Sequence, residues 1–254
     1  MSGRLAEKVA VISGSSRGIG LAVAQAFSAE GALVVVNSRR REAAEEAARG
    51  LGDKAIGIAA DVATEAGAAA LIAGALEVHG RIDVLVNNAG MSMARDTLEL
   101  TAQEWQSVLD LNLTSVFLCS QAAARAMKQA GGGAIVNTAS VQGLTPFPKR
   151  LAYGTTKAGV VMMTQILAAE WAPEIRVNAV APGYTRTEMV EDLRRQGKLD
   201  YDSITSRTPL RRLAEPDEMA PAYVYLASDD SRFVTGQTIA VDGGWTSFGA
   251  YAGF

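Results

Sequence analysis

The sequence predicts an α/β fold: one doubly wound domain spanning residues 1–254, with a seven-stranded parallel sheet and helices on both faces. Three observations carry this expectation. Seven short aliphatic runs are spaced along the chain, Ala-, Glu- and Leu-rich stretches with helical spacing separate them, and no linker or low-complexity block intervenes. Runs that are apolar on both faces belong in a parallel sheet enclosed between helices.

The first run, "VAVIS" (9–13), passes through "SGSSRGIG" (13–20) into the helical pattern "IGLAVAQAFSAEG". Glycines 14, 18 and 20 let backbone N–H groups approach a pyrophosphate, and the helix start behind them favours its charge. The spacing is G-x-x-x-G-x-G, not the commoner G-x-G-x-x-G, and a plain strand-ending turn is the alternative. The second run, "LVVVN" (33–37), leads into Ser38 and then Arg39, Arg40 and Arg41. Cations oppose the dipole at a helix start, so an anion from outside the chain is expected there. The third run, "AIGIAA" (55–60), is followed by Asp61 and Val62.

The next helical stretch closes at His79 and Gly80, a last-turn cation before a glycine cap. His79 is the only histidine, so Ser-His-Asp machinery and a His-based metal cluster are not expected. The fourth run, "IDVLVN" (82–87), ends in "NNAG" (87–90), and the helical "WQSVLDLNLTSVF" that follows carries Asn112 in its middle. A mid-helix Asn can face water or cap a distortion. Cys119 is the lone cysteine, in an apolar helical setting, which predicts a buried thiol, no internal disulfide and a cytoplasmic location.

The fifth run, "AIVNTAS" (134–140), places Ser140 at a strand end. Tyr153 and Lys157 then stand four apart, on one face of a helix and a turn from each other. An ammonium beside a phenol of ordinary pKa about 10 favours the phenolate and brings proton transfer into range. The sixth run is "IRVNAVAP" (175–182). The polar stretch 184–215 after it is expected to form a helical lid over the carboxyl edge of the sheet. A helix in "MAPAYVYLASDD" (219–230) and a seventh strand in "QTIAVDGG" (237–244) complete the series.

The formal charge of -3 and a pI near 5.4 argue against nucleic acid as the main partner. No secretory signal or bilayer-spanning apolar segment is apparent, so a soluble protein with no membrane partner is expected.

Taken together and in order, "SGSSRGIG", "NNAG", "LNLTSVF" (111–117), Ser140, "YGTTK" (153–157) and "APGYTRT" (181–187) resemble the short-chain dehydrogenase/reductase family in its classical, Rossmann-type form. The resemblance covers nearly the whole chain; Ser13 stands where the family usually has Thr. It implies hydride transfer between a nicotinamide cofactor and a carbonyl or alcohol. Ser140 would stabilise the substrate oxygen, Tyr153 would act as acid and base, and Lys157 would lower the tyrosine pKa and bind the nicotinamide ribose. Asn112 would hold a helix irregularity and a water leading to Lys157. Taken singly, each of these residue types at its position is commonplace.

The cofactor set implied by the resemblance comprises Gly14, Ser16, Arg17, Gly18, Ile19 and Gly20 in the turn and Ser38 and Arg39 after the second strand. Asp61 and Val62 would lie at the adenine, Asn87, Asn88, Ala89 and Gly90 would form the floor, and Pro182, Gly183, Thr185 and Thr187 would hold the nicotinamide end. "NNAG" can also be a strand-ending turn that fits the central sheet. Dinucleotide domains that use NAD commonly place Asp or Glu after the second strand, whereas Arg there accommodates a 2'-phosphate. No carboxylate precedes Glu42, so Arg17, Ser38 and Arg39 predict NADP(H), with NAD(H) possible; Arg41 suits an exposed pair with Glu45 or Glu46.

The expected substrate is a small ketone or a sugar- or polyol-like molecule. A 3-oxoacyl-[acyl-carrier-protein] reductase is the alternative, for which Arg125, Lys128 and the arginines of 194–212 would supply docking charge. A non-catalytic NADPH-binding sensor or scaffold is an alternative of another class. The helices of 101–129 and 152–171 are apolar over more than one face, and the resemblance implies a homotetramer.

Overall fold

The structure is a computed structural model that describes residues 3–195, 197 and 199–248. The aliphatic runs form strands β1 (Val9–Ile12), β2 (Leu33–Ser38), β3 (Ala55–Ala59), β4 (Val84–Asn87), β5 (Gly133–Thr138), β6 (Ile175–Pro182) and β7 (Thr238–Val241). They pair in parallel as one sheet, in the order β3-β2-β1-β4-β5-β6-β7. The helices between them are α1 (Gly18–Ala29), α2 (Arg41–Leu51), α3 (Glu65–His79), α4 (Ala102–Leu109), α5 (Ser115–Gln129), α6 (Leu151–Trp171), α7 (Glu188–Arg195), α8 (Tyr201–Arg207) and α9 (Ala220–Ala227). No described helix is long and apolar enough to cross a membrane.

Side-chain alternation along each strand divides the core into two layers. Ala10, Ile12, Val34, Val36, Val84, Val86, Val136 and Val180 pack under Val23, Ala24 and Phe27 of α1 and Tyr223 and Val224 of α9. Their neighbours Val11, Val35, Leu85, Ile135 and Val177 face the other way, against Leu71 and Ile72 of α3, Ala123 and Met127 of α5 and Leu167 of α6. Burial of both faces is why these strands read as continuous aliphatic runs.

The second layer also encloses a polar network. Asn87 Nδ2 donates to Ser120 Oγ (2.8 Å) and Asn137 Oδ1 (2.9 Å), and Asn137 Nδ2 donates to Thr164 Oγ1 (2.9 Å). This ties β4 and β5 to α5 and α6, and every member is buried and satisfied.

Two strands stop two or more residues before the sequence expectation. β5 ends at Thr138, short of Ser140, because the Ser140 hydroxyl accepts the N–H of Gln142 (3.1 Å) and starts a 3₁₀ turn over Val141–Gly143. β7 stops at Val241 because the Asp242 carboxylate takes the N–H groups of Gly244 (2.9 Å) and Thr246 (2.8 Å), which draws the chain into a turn.

The helical expectation around Asn112 also needs refinement. α4 and α5 are joined by a π-helical segment, Asp110–Thr114, with Asn112 fully buried inside it. The stretch 184–215 contains α7 and α8, apart from residues 196 and 198, which lie outside the described residues. Val190, Leu199, Tyr201 and Ile204 from this stretch pack against Val141, Phe147, Tyr184 and Trp245 at the carboxyl edge. His79 closes α3 against Gly80, whose φ of 72° is the left-handed cap conformation.

Candidate active site

Strand order reverses at β1 and β4, so the loops leaving them diverge and open a crevice at the carboxyl edge. The glycine turn forms one wall. Gly14 and Gly18 have φ of 60° and 58°, a region that favours glycine. A side chain on Gly14 would stand 2.8 Å from the Ala89 Cα, and one on Gly20 would stand 2.4 Å from Asn88 Nδ2. The turn and "NNAG" are thus in direct contact.

Side chains lock them together. Ser13 Oγ accepts the N–H groups of Asn88 (3.0 Å) and Ala89 (3.1 Å), while Asn88 Nδ2 donates to the carbonyls of Ser13 (3.1 Å) and Gly14 (2.9 Å). From the other side Asn37 Oδ1 accepts the Gly14 N–H (3.1 Å), and Asn37 Nδ2 donates to the carbonyls of Ile58 and Ala60. α1 starts at Gly18 behind Arg17 with no capping side chain and no acidic residue in its first turn. The N–H groups of Gly18, Ile19 and Gly20, with half-buried Ser16 beside them, therefore offer a cradle suited to an anion.

At the end of β2, Ser38 Oγ accepts the Arg40 N–H (3.3 Å), and Arg39 and Arg40 are exposed. Arg41 pairs with Glu45 at 3.7 Å along α2, the expected exposed pair. Arg17 lies 3.8 Å from Glu188 of α7, with both side chains about three-quarters exposed, a contact worth little in water. Asp61 is exposed and accepts the Ala63 N–H (3.2 Å), whereas Val62 is buried beneath it.

Ser140, Tyr153 and Lys157 come together on the other side of the crevice. Lys157 Nζ lies 5.8 Å from the centre of the Tyr153 ring and donates to the Thr138 carbonyl (2.7 Å). Asn112 grips Met91 in both directions, accepting its N–H and donating to its carbonyl, each at 2.8 Å. A side chain on Gly90 would meet Asn112 Oδ1 at 3.2 Å and Lys157 Nζ at 3.7 Å, so the glycine keeps the space between them free. Pro182 is buried at the end of β6, and the Gly183 N–H donates to the Val241 carbonyl (2.9 Å). Thr185 is buried, and Thr187 faces the glycine turn, 3.5 Å from where a Gly18 side chain would begin.

One expected floor residue is placed elsewhere. The Asn87 side chain belongs to the buried network under the sheet, because odd-numbered β4 positions face α5 and α6. Asn88, Ala89 and Gly90 remain at the edge. Sequence reasoning also missed Asn37, Phe147, Arg150, Tyr184 and Trp245. Asn37 was visible as the one polar residue inside an aliphatic run; the others lie in irregular loops or at a helix start.

Burial dominates the electrostatics of the site. It pushes the Tyr153 phenol above its ordinary pKa, opposed by the contact with Ser140 and the charge of Arg150. Burial also brings the Lys157 ammonium down from an ordinary 10.5 to about 8. Between these two values the unfolded chain holds a proton that the folded chain has released, so raising the pH favours folding. We expect the stability of wild type relative to Lys157→Met to rise by about 3 kcal/mol as pH passes from 8 to 10.5, in thermal melts of both proteins. A difference that stayed flat across that window would mean that Lys157 titrates normally.

Residues 14–246 match the family model described as Enoyl-(Acyl carrier protein) reductase. The uncharacterized short-chain type dehydrogenase/reductase y4vI of Sinorhizobium fredii is 43% identical over 94% of this chain, which spans only 44% of that protein. The NADP-dependent (R)-specific alcohol dehydrogenase of Lentilactobacillus kefiri is 37% identical over 97% of this chain and 100% of its own length. A gluconate 5-dehydrogenase from Burkholderia cenocepacia, solved in complex with NADP and tartrate, superposes with a TM-score of 0.91 at 39% identity, covering 96% of this chain and 97% of that one. With its ordered motifs, its seven-stranded parallel sheet and these relatives, the chain belongs to the short-chain dehydrogenase/reductase family.

Proposed function

We propose that this protein is an NADP(H)-dependent oxidoreductase that interconverts ketones and secondary alcohols. The observation that carries this is the convergence of Ser140, Tyr153 and Lys157 on the crevice whose opposite wall is an uncapped, glycine-built anion cradle. A bound nicotinamide dinucleotide supplies the hydride for reduction and accepts it in oxidation. Its diphosphate fits the cradle at Gly14, Ser16, Gly18, Ile19 and Gly20. Asp61 and Val62 border the adenine, Asn88, Ala89 and Gly90 the floor, and Pro182, Gly183, Thr185 and Thr187 the nicotinamide end.

The chain's own chemistry is proton handling. Burial keeps Tyr153 protonated at neutral pH, so the phenol stands ready to donate to a carbonyl oxygen as it gains negative charge. The Ser140 hydroxyl, held by its 3₁₀ turn, shares that oxygen. Lys157, charged below about pH 8, stabilises the phenolate left behind and binds the nicotinamide ribose. Asn112 keeps Met91 and the π-helical segment in place beside Lys157. Segment 184–215 acts as the lid. Tyr153→Phe removes the only proton this scheme can use, and we expect turnover to fall at least a thousandfold with NADPH binding retained, measured by NADPH oxidation and by titration of cofactor fluorescence. Wild-type turnover in that variant overturns the scheme.

NADP(H) preference is supported by Arg39 and Arg40, exposed at the end of β2 with no carboxylate before Glu42. Arg17 is a further exposed cation in the glycine turn, which Asn37 ties to the end of β2. We expect Arg39→Asp to lower the NADP/NAD ratio of kcat/KM by at least tenfold, since it replaces a phosphate partner with a repelling charge. An unchanged ratio would remove the basis for this preference.

A small ketone or sugar- or polyol-like substrate suits the site better than an acyl chain on an acidic carrier protein. Several lid arginines that could dock a carrier are already paired: Arg186 with Glu191 and Glu215, Arg194 with Glu191, Arg195 with Asp192 and Arg212 with Glu218. The family model's description keeps the carrier-linked substrate as the second reading. A panel of ketones, ketoses and a 3-oxoacyl thioester with NADPH separates both from a non-catalytic sensor, which would oxidise no NADPH. A cytoplasmic enzyme fits the lone Cys119, whose buried thiol is pushed up to about 12 and is inert.

Exposed Phe117 on α5 and Met162 and Ile166 on α6 support assembly into a homotetramer. Sedimentation velocity at micromolar protein is expected to give a single four-chain species; a monomer there excludes it.

A further inference from the structure

The crevice wall beyond Ser140 is aromatic. Buried Trp245 stacks on Phe147 at 5.8 Å between ring centres and is met by Tyr184 at 5.2 Å. Val141, next to Ser140, and Ile204 of α8 pack into the same cluster. Two polar atoms of this wall, Trp245 Nε1 and Gln142 Oε1, are buried without a hydrogen-bond partner among the described residues.

Two cations border the cluster. Arg207 of α8 lies over the Trp245 ring at 4.4 Å. Arg150 immediately precedes α6, three positions before Tyr153 and so within about one helical turn of it. Its guanidinium donates to Ser92 Oγ (3.0 Å), and its charge acts on both Tyr153 and Tyr184. Among the described residues neither Arg150 nor Arg207 is in an ion pair, whereas Arg194 of α7 and Arg95, Arg186 and Arg212 in the surrounding loops each have a carboxylate. Arg150 thus stands beside the proton donor with no carboxylate among the described residues, unlike most of the arginines around it.

We propose that the site takes a carbonyl compound that carries a carboxylate, or the matching hydroxy acid, with Arg150 holding the carboxylate and the Phe147, Tyr184 and Trp245 rings covering the carbon chain. The proposal rests on the oxidoreductase reading above and narrows its substrate class. A guanidinium with one N–H on Ser92 keeps further donors in a planar fork, the geometry that suits a carboxylate. Only Leu151 and Ala152 separate Arg150 from Tyr153, so a short substrate with about two or three carbons between carboxylate and carbonyl is the class to test. The overall reaction is unchanged: one carbonyl is reduced to an alcohol as one NADPH is oxidised, with the proton from Tyr153 restored by solvent.

The probes are 4-oxopentanoate and its methyl ester, equal in carbonyl chemistry and different in charge. We expect wild type to favour the acid at least tenfold in kcat/KM. Arg150→Met should reduce that acid-to-ester ratio to about one or below, mainly through a higher KM for the acid, and Arg150→Lys should restore part of it. Calorimetric titration of wild type with 4-oxopentanoate in the presence of NADP should show binding that the ester lacks, a readout independent of turnover and of whether the variants fold. No preference for the acid in either measurement, with neutral ketones reduced, overturns this inference alone. Binding of the acid without turnover of any ketone supports the carboxylate site and sinks the oxidoreductase reading instead.

Discussion

The glycine turn is held from two sides, by Asn88 on the β4 side and by Asn37 on the β2 side, and the rest of the site depends on that grip. β1 is the strand at which the sheet changes direction, so its loop would otherwise have no neighbour to define it. Gly14 and Gly20 allow the approach because a Cβ at either would collide with "NNAG". Asn37 goes further, since its amide also takes the Ile58 and Ala60 carbonyls and so couples the turn to the end of β3. The backbone N–H groups of the cradle are thereby aimed before any ligand arrives, which is what anion binding by backbone groups requires.

A second constraint runs through Lys157. A buried ammonium is costly, and the Thr138 carbonyl, its acceptor among the described residues, recovers only part of its hydration. The fold supports that cost with a rigid surround: Thr138 is also fixed by Tyr223 (2.8 Å), and Asn87, Asn137 and Thr164 brace β4, β5 and α6 from the layer below. A charge at this position stabilises nothing in the empty fold, whereas a neutral residue of similar shape would pack there without penalty. Its presence makes chemical sense beside Tyr153, where a positive charge lowers the free energy of the deprotonated phenol. Stability has been given up locally for function, as is common at active sites.

The sheet and the glycine turn were legible in the sequence because both are written in contiguous residues. An aliphatic run buried on two faces can only be an interior strand, and glycines spaced after such a run report a backbone constraint at that same place. Arg41 was readable as an exposed pair for the same reason, its partner Glu45 being one turn away. Asn87 was not, because which of two adjacent asparagines points into the core depends on strand parity, and a shift of one residue reverses the answer. Nor was the early end of β5, where Ser140 outcompetes the ladder by bonding its own backbone two residues on.

The substrate half was illegible for a deeper reason. Its wall is assembled from Phe147 in the loop before α6, Tyr184 after β6 and Trp245 after β7, and none of these positions belongs to a periodic element that would announce it. Arg150 reads in sequence as one more surface cation ahead of a helix. Its meaning comes from what the fold leaves out, since Arg95, Arg186 and Arg212 have carboxylates within 4 Å and Arg150, among the described residues, has Ser92 instead. A family that keeps the proton donor and the cradle constant while drawing its substrate walls from separate loops can change substrate without disturbing either core layer. That division is why the chemistry of this chain follows from its motifs, while its choice of substrate follows only from charges placed in three dimensions.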